Sequence, residues 1–290
     1  MTLNTLYLSY TGCQATDVQK LEEHVRQFCK TYALKLNTDL GQHFLVDQEV
    51  LDAIVDASGI HTEDTVVEIG PGIGVLTKEL LTRAAKVVAV ELDARLIPLL
   101  ETYVEDDPRL EVIQGNALRV PLPKEPYRIV ANIPYHITSP LLRHAFLESD
   151  ITPVSLTLLI QKEVAEKICD TQHTGLLTIL VGLFGTPEII ADVPPSCFLP
   201  PPQVDSAVLH IQCFPEPIAS ADELKKIFSL TKIAFSRKRK MLSNSIGKQP
   251  GGAEMLKKAG IHADRRPETL TVEEWVKLAK VDLTPTFYHP

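Results

Sequence analysis

The sequence predicts an α/β protein, a doubly wound and largely parallel sheet followed by a small C-terminal helical domain. Three observations carry this. Short β-branched runs alternate with helix-period stretches from Val66 to Cys169, the pattern of βαβ units. Turns built on glycine or an amide follow several of these runs, at Gly70-Pro71-Gly72-Ile73-Gly74, Gly115-Asn116-Ala117 and Asn132-Ile133-Pro134-Tyr135. Beyond the break Phe214-Pro215-Glu216-Pro217 the strand pattern stops and helical spacing takes over.

Taken in order, residues 1 to 36 form an N-terminal extension with a helix expected from Asp17 to Tyr32, where Val18, Leu21, Val25 and Phe28 fall near helical spacing. It reads either as a helix packed on the domain or as a loosely held segment. Its three acidic residues argue against an organelle-targeting role. Residues 37 to 214 form the sheet domain. Its predicted strands are Val66 to Ile69, Lys86 to Glu91, Leu110 to Gln114, Ile129 to Ala131 and Val154 to Ile160. Its predicted helices are Gln48 to Ser58, capped by Asp47; Val75 to Thr82; Ala94 to Tyr103, bent or split at Pro98; Ser139 to Leu147, capped by Thr138; and Lys162 to Cys169. Leu176 to Phe184, Glu188 to Ala191 and Ala207 to Cys213 are further buried elements. Residues 218 to 290 form the helical domain, with helices expected at Asp222 to Phe235, Lys240 to Ile246, Ala253 to Ala259 and Thr271 to Ala279. No internal repeat is visible.

A hydrophobic fraction of 44% in 290 residues is ample for a sizeable core. No apolar run reaches the length of a membrane span, and no secretory signal stands at the start. Cys13, Cys29, Cys169, Cys197 and Cys213 are odd in number and scattered, without a CxxC pair, which argues against zinc or a disulfide framework. A reducing, cytoplasmic setting follows, with no metal. The net charge of −8 argues at first against nucleic acid. Its distribution does not. Ser220 to Lys280 holds 14 Lys and Arg against 7 Asp and Glu, a net of +7, while the rest of the chain carries −15. Such asymmetry marks a basic module that docks on nucleic acid. Arg237, Lys238, Arg239 and Lys240 are its sharpest cluster. Four consecutive cations repel without a partner, which weighs against the bland alternative of a solvated helix start.

The candidate site lies where strands end, since open α/β sheets bind ligands there. Gly70, Gly72 and Gly74 let backbone approach a ligand closely. Glu91, ending the second strand, can accept from ribose hydroxyls. Asn116, after the third, can hydrogen-bond an adenine edge. At the fourth, Asn132, Pro134 and Tyr135 join an amide, a rigid turn and an aromatic ring. The Asn132 oxygen and the Pro134 carbonyl can each accept one N–H of an exocyclic amine, while the Tyr135 ring stacks on the base, worth roughly 1–3 kcal/mol. Each has a bland alternative: an ordinary Pro turn, a plain strand–helix turn, a solvated strand end, a turn-forming Asn. The order is the informative part. Glycine loop, ribose carboxylate, adenine contact and then Asn-Pro-Tyr is the order expected of a methyltransferase using S-adenosylmethionine.

From Gly41 to about Ala279 the chain resembles the ribosomal RNA adenine N6-dimethyltransferases of the KsgA (RsmA) type. Gly41-Gln42-His43-Phe44-Leu45 is similar to the family's Gly-Gln-Asn-Phe-Leu motif. Glu68-Ile69-Gly70-Pro71-Gly72 and Val90-Glu91-Leu92-Asp93 match its cofactor motifs, and Asn132-Ile133-Pro134-Tyr135 its catalytic motif. Gln161-Lys162-Glu163-Val164-Ala165 and the run from Phe198 to Val208 match two more. The resemblance implies a Rossmann-like S-adenosylmethionine-dependent sheet and two successive methyl transfers to N6 of each of two adjacent adenosines near the 3′ end of small-subunit (16S) ribosomal RNA, as part of ribosome small-subunit biogenesis. It puts cofactor contacts on His43, Leu45, Gly70, Gly72, Glu91, Asn116 and Asn132, and catalysis on Asn132, Pro134 and Tyr135. It also implies a monomer acting on a pre-assembled 30S-like particle. Three residues depart from the family: His43 and His136 replace Asn, and Asn116 replaces Asp. His136 reads equally as a substrate contact or an exposed loop histidine. Pro200-Pro201-Pro202 reads equally as a rim of the site or a rigid crossover.

Three rival readings remain. A resistance-type methyltransferase of large-subunit ribosomal RNA shares Asn-Ile-Pro-Tyr, but the Pro200 to Val208 run favours the small-subunit family. A weakly catalytic ribosome-assembly or transcription factor is kept open by His43 and Asn116. A nicotinamide dehydrogenase fits poorly with a small basic helical module.

Overall fold

The structure, a computed structural model, describes residues 15–34, 36, 41–236 and 240–282. The chain forms two compact units. One combines residues up to 166 with 186–215, and the other combines 167–185 with the residues from 216 onward.

The first unit is built on a seven-stranded sheet. Its strands are β2 (Thr65–Ile69), β3 (Lys86–Glu91), β4 (Leu110–Gln114), β5 (Tyr127–Asn132), β6 (Ser155–Gln161), β7 (Gly185–Val193) and β9 (Ser206–Cys213). They lie in the order β4-β3-β2-β5-β6-β9-β7. β4 to β6 run parallel, and β9 pairs antiparallel with β6. Helices cover the faces of a parallel sheet, so its inner strands are apolar throughout; β6 is buried from Ser155 to Ile160. The expected doubly wound sheet is therefore present. β2 leads outward to β3 and β4, and the chain then returns to place β5 on the other side of β2. The order reverses between β2 and β5, and a crevice opens at the carboxyl ends of two strands that diverge in this way.

A separate two-stranded pair joins β1 (Phe44–Leu45) antiparallel to β8 (Phe198–Leu199). α1 (Ala15–Thr31) packs on this unit: Val25 is fully buried, and the His24 and Phe28 rings stand edge-on to Tyr103, at 5.3 and 5.1 Å. α2 (Gln48–Ala57) is capped as expected, Val50 N–H donating to the Asp47 carboxylate at 3.1 Å. α3 (Val75–Leu81) follows the glycine loop. α4 (Ile97–Tyr103) begins later than expected. Pro98 lies in its first turn, where the missing N–H has no intrahelical partner to lose, so nothing bends. α5 (Thr138–Arg143) also departs from expectation. A 3₁₀ turn, Tyr135–Ile137, winds directly into it, so Thr138 is already helical and is not the cap. Its hydroxyl instead donates back to the Tyr135 carbonyl at 3.0 Å. α6 (Lys162–Cys169) follows β6 without a loop.

The second unit holds α7 (Leu176–Phe184), α8 (Ala221–Phe235), α9 (Gly252–Lys258) and α10 (Val272–Lys280); α10 packs on α7 and α8, with its Trp275 fully buried and 6.1 Å from the Phe235 ring of α8. Ser220 with Glu223, and Thr271 with Glu274, form reciprocal capping boxes that start α8 and α10. Arg265 reaches both Glu274 oxygens, at 2.5 and 3.0 Å. The helix expected at Lys240 to Ile246 is instead two 3₁₀ turns, Leu242–Asn244 and Ile246–Lys248. Ser243, Asn244, Ser245 and Gly247 are poor helix formers, and Ser245 adopts φ −125°, ψ −87° between the turns. Among the described residues no helix is long and apolar enough to cross a membrane.

Candidate active site

A cleft of about 1050 Å³, open to solvent, lies at the reversal point of the sheet. The loops after β2, β3, β4 and β5 and the segment Gly41–Leu45 all line it. His43, Leu45, Gly70, Gly72, Glu91, Asn116, Asn132 and Pro134 are all among its walls. A second cavity of about 760 Å³ shares Gly41, His43, Asn132 and His136 with the first and adds Ile133, Tyr135 and Gln161.

The glycine loop is shaped by close approach. Gly72 has φ +62°, and a Cβ there would stand 2.8 Å from Cε1 of Phe44. Its N–H donates to Glu91 at 3.2 Å, and the Asp93 N–H donates to the other Glu91 oxygen at 2.8 Å. Two backbone donors therefore fix the carboxylate of Glu91 at the strand end. Each of its oxygens keeps a lone pair for a ligand hydroxyl. Burial pushes its pKa up, against the pull of those backbone donors. Beneath it, Glu68 is almost completely buried and accepts from the Thr77 hydroxyl at 2.6 Å. Burial pushes its carboxyl up to about 8, with Glu91 adding repulsion, so it is protonated at neutral pH.

Asn132 ends β5, where Leu159 of β6 is its register partner. Its Nδ2 donates to the His43 carbonyl at 3.0 Å. That bond assigns the amide orientation and leaves Oδ1 as a free-facing acceptor where the two cavities meet. The Pro134 carbonyl accepts from Ile137 N–H at 3.0 Å and retains a second lone pair. Gly41, at φ +74°, abuts this turn: a Cβ would stand 2.9 Å from Cβ of Pro134. The Tyr135 hydroxyl is 2.6 Å from Ser206 Oγ, which anchors the ring, and burial raises its pKa. His43 Nδ1 lies 2.7 Å from the Pro200 carbonyl. A carbonyl only accepts, so Nδ1 carries the proton and the neutral ring has Nε2 as an acceptor. Pro200 thus reaches the site through its backbone.

The chain matches the family model described as ribosomal RNA adenine dimethylase over residues 33–282. The chain belongs to that family. The ribosomal RNA small subunit methyltransferase A of Alkaliphilus metalliredigens is 40% identical to it over 266 residues, covering 86% of this chain and 92% of that protein. The protein of the same description from Clostridium botulinum is 39% identical, covering 88% and 97%. Two solved structures share the fold at 28% identity. The 23S rRNA methyltransferase ErmE has a TM-score of 0.69 over 81% of this chain and 98% of its own. A dimethyladenosine transferase from Plasmodium falciparum has a TM-score of 0.70 over 80% and 94%.

Within this adenine dimethylase fold, the departures at His43, Asn116 and His136 all line the main cleft. Asn116 is also a turn former, its Oδ1 accepting from Leu118 N–H at 2.9 Å. His136 is exposed on the 3₁₀ turn. Lys240 is exposed in the second unit; Arg237, Lys238 and Arg239 lie outside the described residues. Sequence reasoning does not single out five contributors to the site. Glu68 stands in the sequence only as part of a motif, because nothing local shows that its strand end is sealed. Leu92 is 62% exposed on the cleft wall, a flat apolar surface for a ring, and an exposed leucine has no sequence signature. Ser206 anchors Tyr135 from another strand. Gln42 donates to Asp93 at 3.1 Å, and Arg95 grips Asp93, holding its carboxyl down at about 2.

Proposed function

We propose that this protein transfers methyl groups from S-adenosylmethionine to N6 of two adjacent adenosines near the 3′ end of small-subunit (16S) ribosomal RNA, forming N6,N6-dimethyladenosine during small-subunit biogenesis. The residues lining the cleft fit S-adenosylmethionine. Glu91, fixed by two backbone N–H groups, would take the ribose hydroxyls. Leu92 and Asn116 would face the adenine, and the glycine loop would admit backbone contact. When bound, the cofactor supplies an electrophilic sulfonium methyl group, and the target amine is the nucleophile.

Adenine N6 is a poor nucleophile because its lone pair is delocalised into the ring. The chain's contribution is position and polarity. Asn132 Oδ1 and the Pro134 carbonyl accept hydrogen bonds from the two amine N–H groups and favour a pyramidal nitrogen, and the proton displaced at each transfer leaves to solvent. Tyr135, held by Ser206, stacks on the base after it leaves its helix. His43 holds the Asn132 amide so that the oxygen, and not the nitrogen, faces the amine. That orientation at the junction of two cavities is the observation that carries this reading. The basic segment of residues 218–290, with Arg237, Lys238, Arg239 and Lys240, holds RNA phosphates, and the particle is engaged by a monomer in the cytoplasm.

The small-subunit substrate is favoured because the chain is 40% identical over 266 residues to a protein described as a ribosomal RNA small subunit methyltransferase. Primer extension across the 3′ end of small-subunit ribosomal RNA tests it. Loss of the gene should abolish two adjacent stops and complementation should restore them; stops that persist without the gene would refute the function.

A further inference from the structure

We propose that Gln161 reads N1 of the target adenine, so that the site recognises the base by two neighbouring positions of its Watson–Crick edge. This rests on the adenine N6 reading above and deepens it.

Gln161 is the last residue of β6, two beyond the register partner of Asn132, and its own partner on β9 is Ser206. Ser206 anchors the Tyr135 hydroxyl, so Gln161 stands beside the residue that holds the stacking ring. It lines the second cavity but not the cofactor cleft. Its side-chain amide has no hydrogen-bond partner among the described residues.

The chemistry of the base supplies the rest. Adenine presents an amine donor and, next to it, the acceptor N1. Asn132 and Pro134 serve the amine, so N1 requires an N–H. Three other polar side chains of this cavity are already engaged. His43 Nδ1–H is given to the Pro200 carbonyl, and its Nε2 accepts. Asn132 Nδ2 is given to His43, and the Tyr135 hydroxyl is paired with Ser206. Gln161 and the exposed His136 remain, and of these only Gln161 belongs to this cavity alone. A guanine would place O6 against the Asn132 oxygen, which the His43 carbonyl holds in place through Nδ2, so that contact rejects guanine. The Gln161 amide adds a donor for N1 when adenine is bound.

The test uses the intact protein and two ribosomal RNA substrates that differ at the target base, adenosine in one and 1-deazaadenosine in the other. The analogue keeps the amine and replaces N1 by CH. Single-turnover rates give a ratio of adenosine to analogue for each enzyme. The intrinsic change in amine reactivity is common to all enzymes and cancels between them. Wild type should show a ratio about 10-fold larger than Gln161→Leu, the value of one neutral hydrogen bond. Gln161→Glu, which keeps the size but lacks the N–H, should behave like Gln161→Leu. His136→Ala should keep the wild-type ratio. Unchanged S-adenosylmethionine binding would show the variants folded. A wild-type ratio in both Gln161 variants, or its loss in His136→Ala alone, overturns the assignment. Failure of wild type to methylate the adenosine substrate at all would instead overturn the proposed function beneath it.

Discussion

Gly41 offers a measurable link between backbone geometry and catalysis. It has φ +74°, and an added Cβ would stand 2.9 Å from Cβ and 3.2 Å from Cα of Pro134. Carbon atoms in ordinary contact lie about 3.5–4.0 Å apart, so Gly41→Ala must push the Pro134 turn by roughly 0.5–1 Å. The left-handed backbone adds about 1–2 kcal/mol of strain. Gly260 isolates that strain, with φ +71° and nothing within 4 Å of its Cβ position. Gly260→Ala should lose about 1–2 kcal/mol of stability and keep its single-turnover methylation rate. Gly41→Ala should lose at least as much stability. It should also slow methyl transfer about 10- to 100-fold, since a displacement near 1 Å at reacting groups costs that much. Denaturant unfolding and single-turnover rates on both variants decide the matter. A Gly41→Ala enzyme that matches Gly260→Ala in rate would refute the claim that this contact positions the Pro134 carbonyl.

Three further outcomes follow from the charges. Glu68 has a folded pKa of about 8 against an ordinary 4.5, so between those pH values the folded chain holds a proton that the unfolded chain has released. Its contribution therefore favours folding least at high pH, and stability should fall as pH rises through that window. Glu68→Gln, which keeps an acceptor for Thr77, should flatten the melting temperature against pH there; an unchanged slope would exclude Glu68 as its source. Asn116→Asp should tighten S-adenosylmethionine binding by on the order of 1 kcal/mol in calorimetry, because one carboxylate oxygen can keep the Leu118 N–H while the other meets the adenine amine. Markedly weaker binding would mean that the turn does not tolerate the added charge. Reversing the charge of Arg237, Lys238, Arg239 and Lys240 should weaken RNA binding most visibly at moderate salt and spare cofactor binding. Equal RNA affinity across a salt series would remove the cluster from the interface.

The parallel strands were legible because both faces of β2, β3, β5 and β6 are covered, so each reads as an apolar run, with a turn at the end of β2, β3 and β5. Asp47 was legible as a cap because its bond is local. What escaped was set by distant partners. Phe44–Leu45 and Phe198–Leu199 form a strand pair from two residues each, too short for any periodicity. Pro98 looked like a break only because the start of α4 was placed three residues early. The residues from Lys240 to Ile246 have helical spacing, but their serines, Asn244 and Gly247 favour tight turns. Leu176–Phe184 follows the sheet strands in sequence, yet it clusters with the helices of the second unit. In the site, the residue types at the strand ends could be read directly. Their orientation could not, since it depends on a backbone carbonyl at His43 for Asn132 and on Ser206 for Tyr135.

Asn132 carries the central claim, and Asn132→Ala tests it most directly. The substitution removes Oδ1, the acceptor for the target amine, and leaves β5 intact. Its bond is strongest when N6 becomes pyramidal and partly positive, so the loss falls on the transition state. Removing one such oriented group costs about 2.7–4 kcal/mol, or roughly 100- to 1,000-fold in rate. Affinity for RNA, which phosphate contacts dominate, should barely change. The measurement is single-turnover methylation of a small-subunit ribosomal substrate, with RNA binding followed in parallel. A rate reduced by that factor at unchanged RNA affinity is the predicted result; a near-normal rate would contradict the account of Asn132 as the catalytic acceptor.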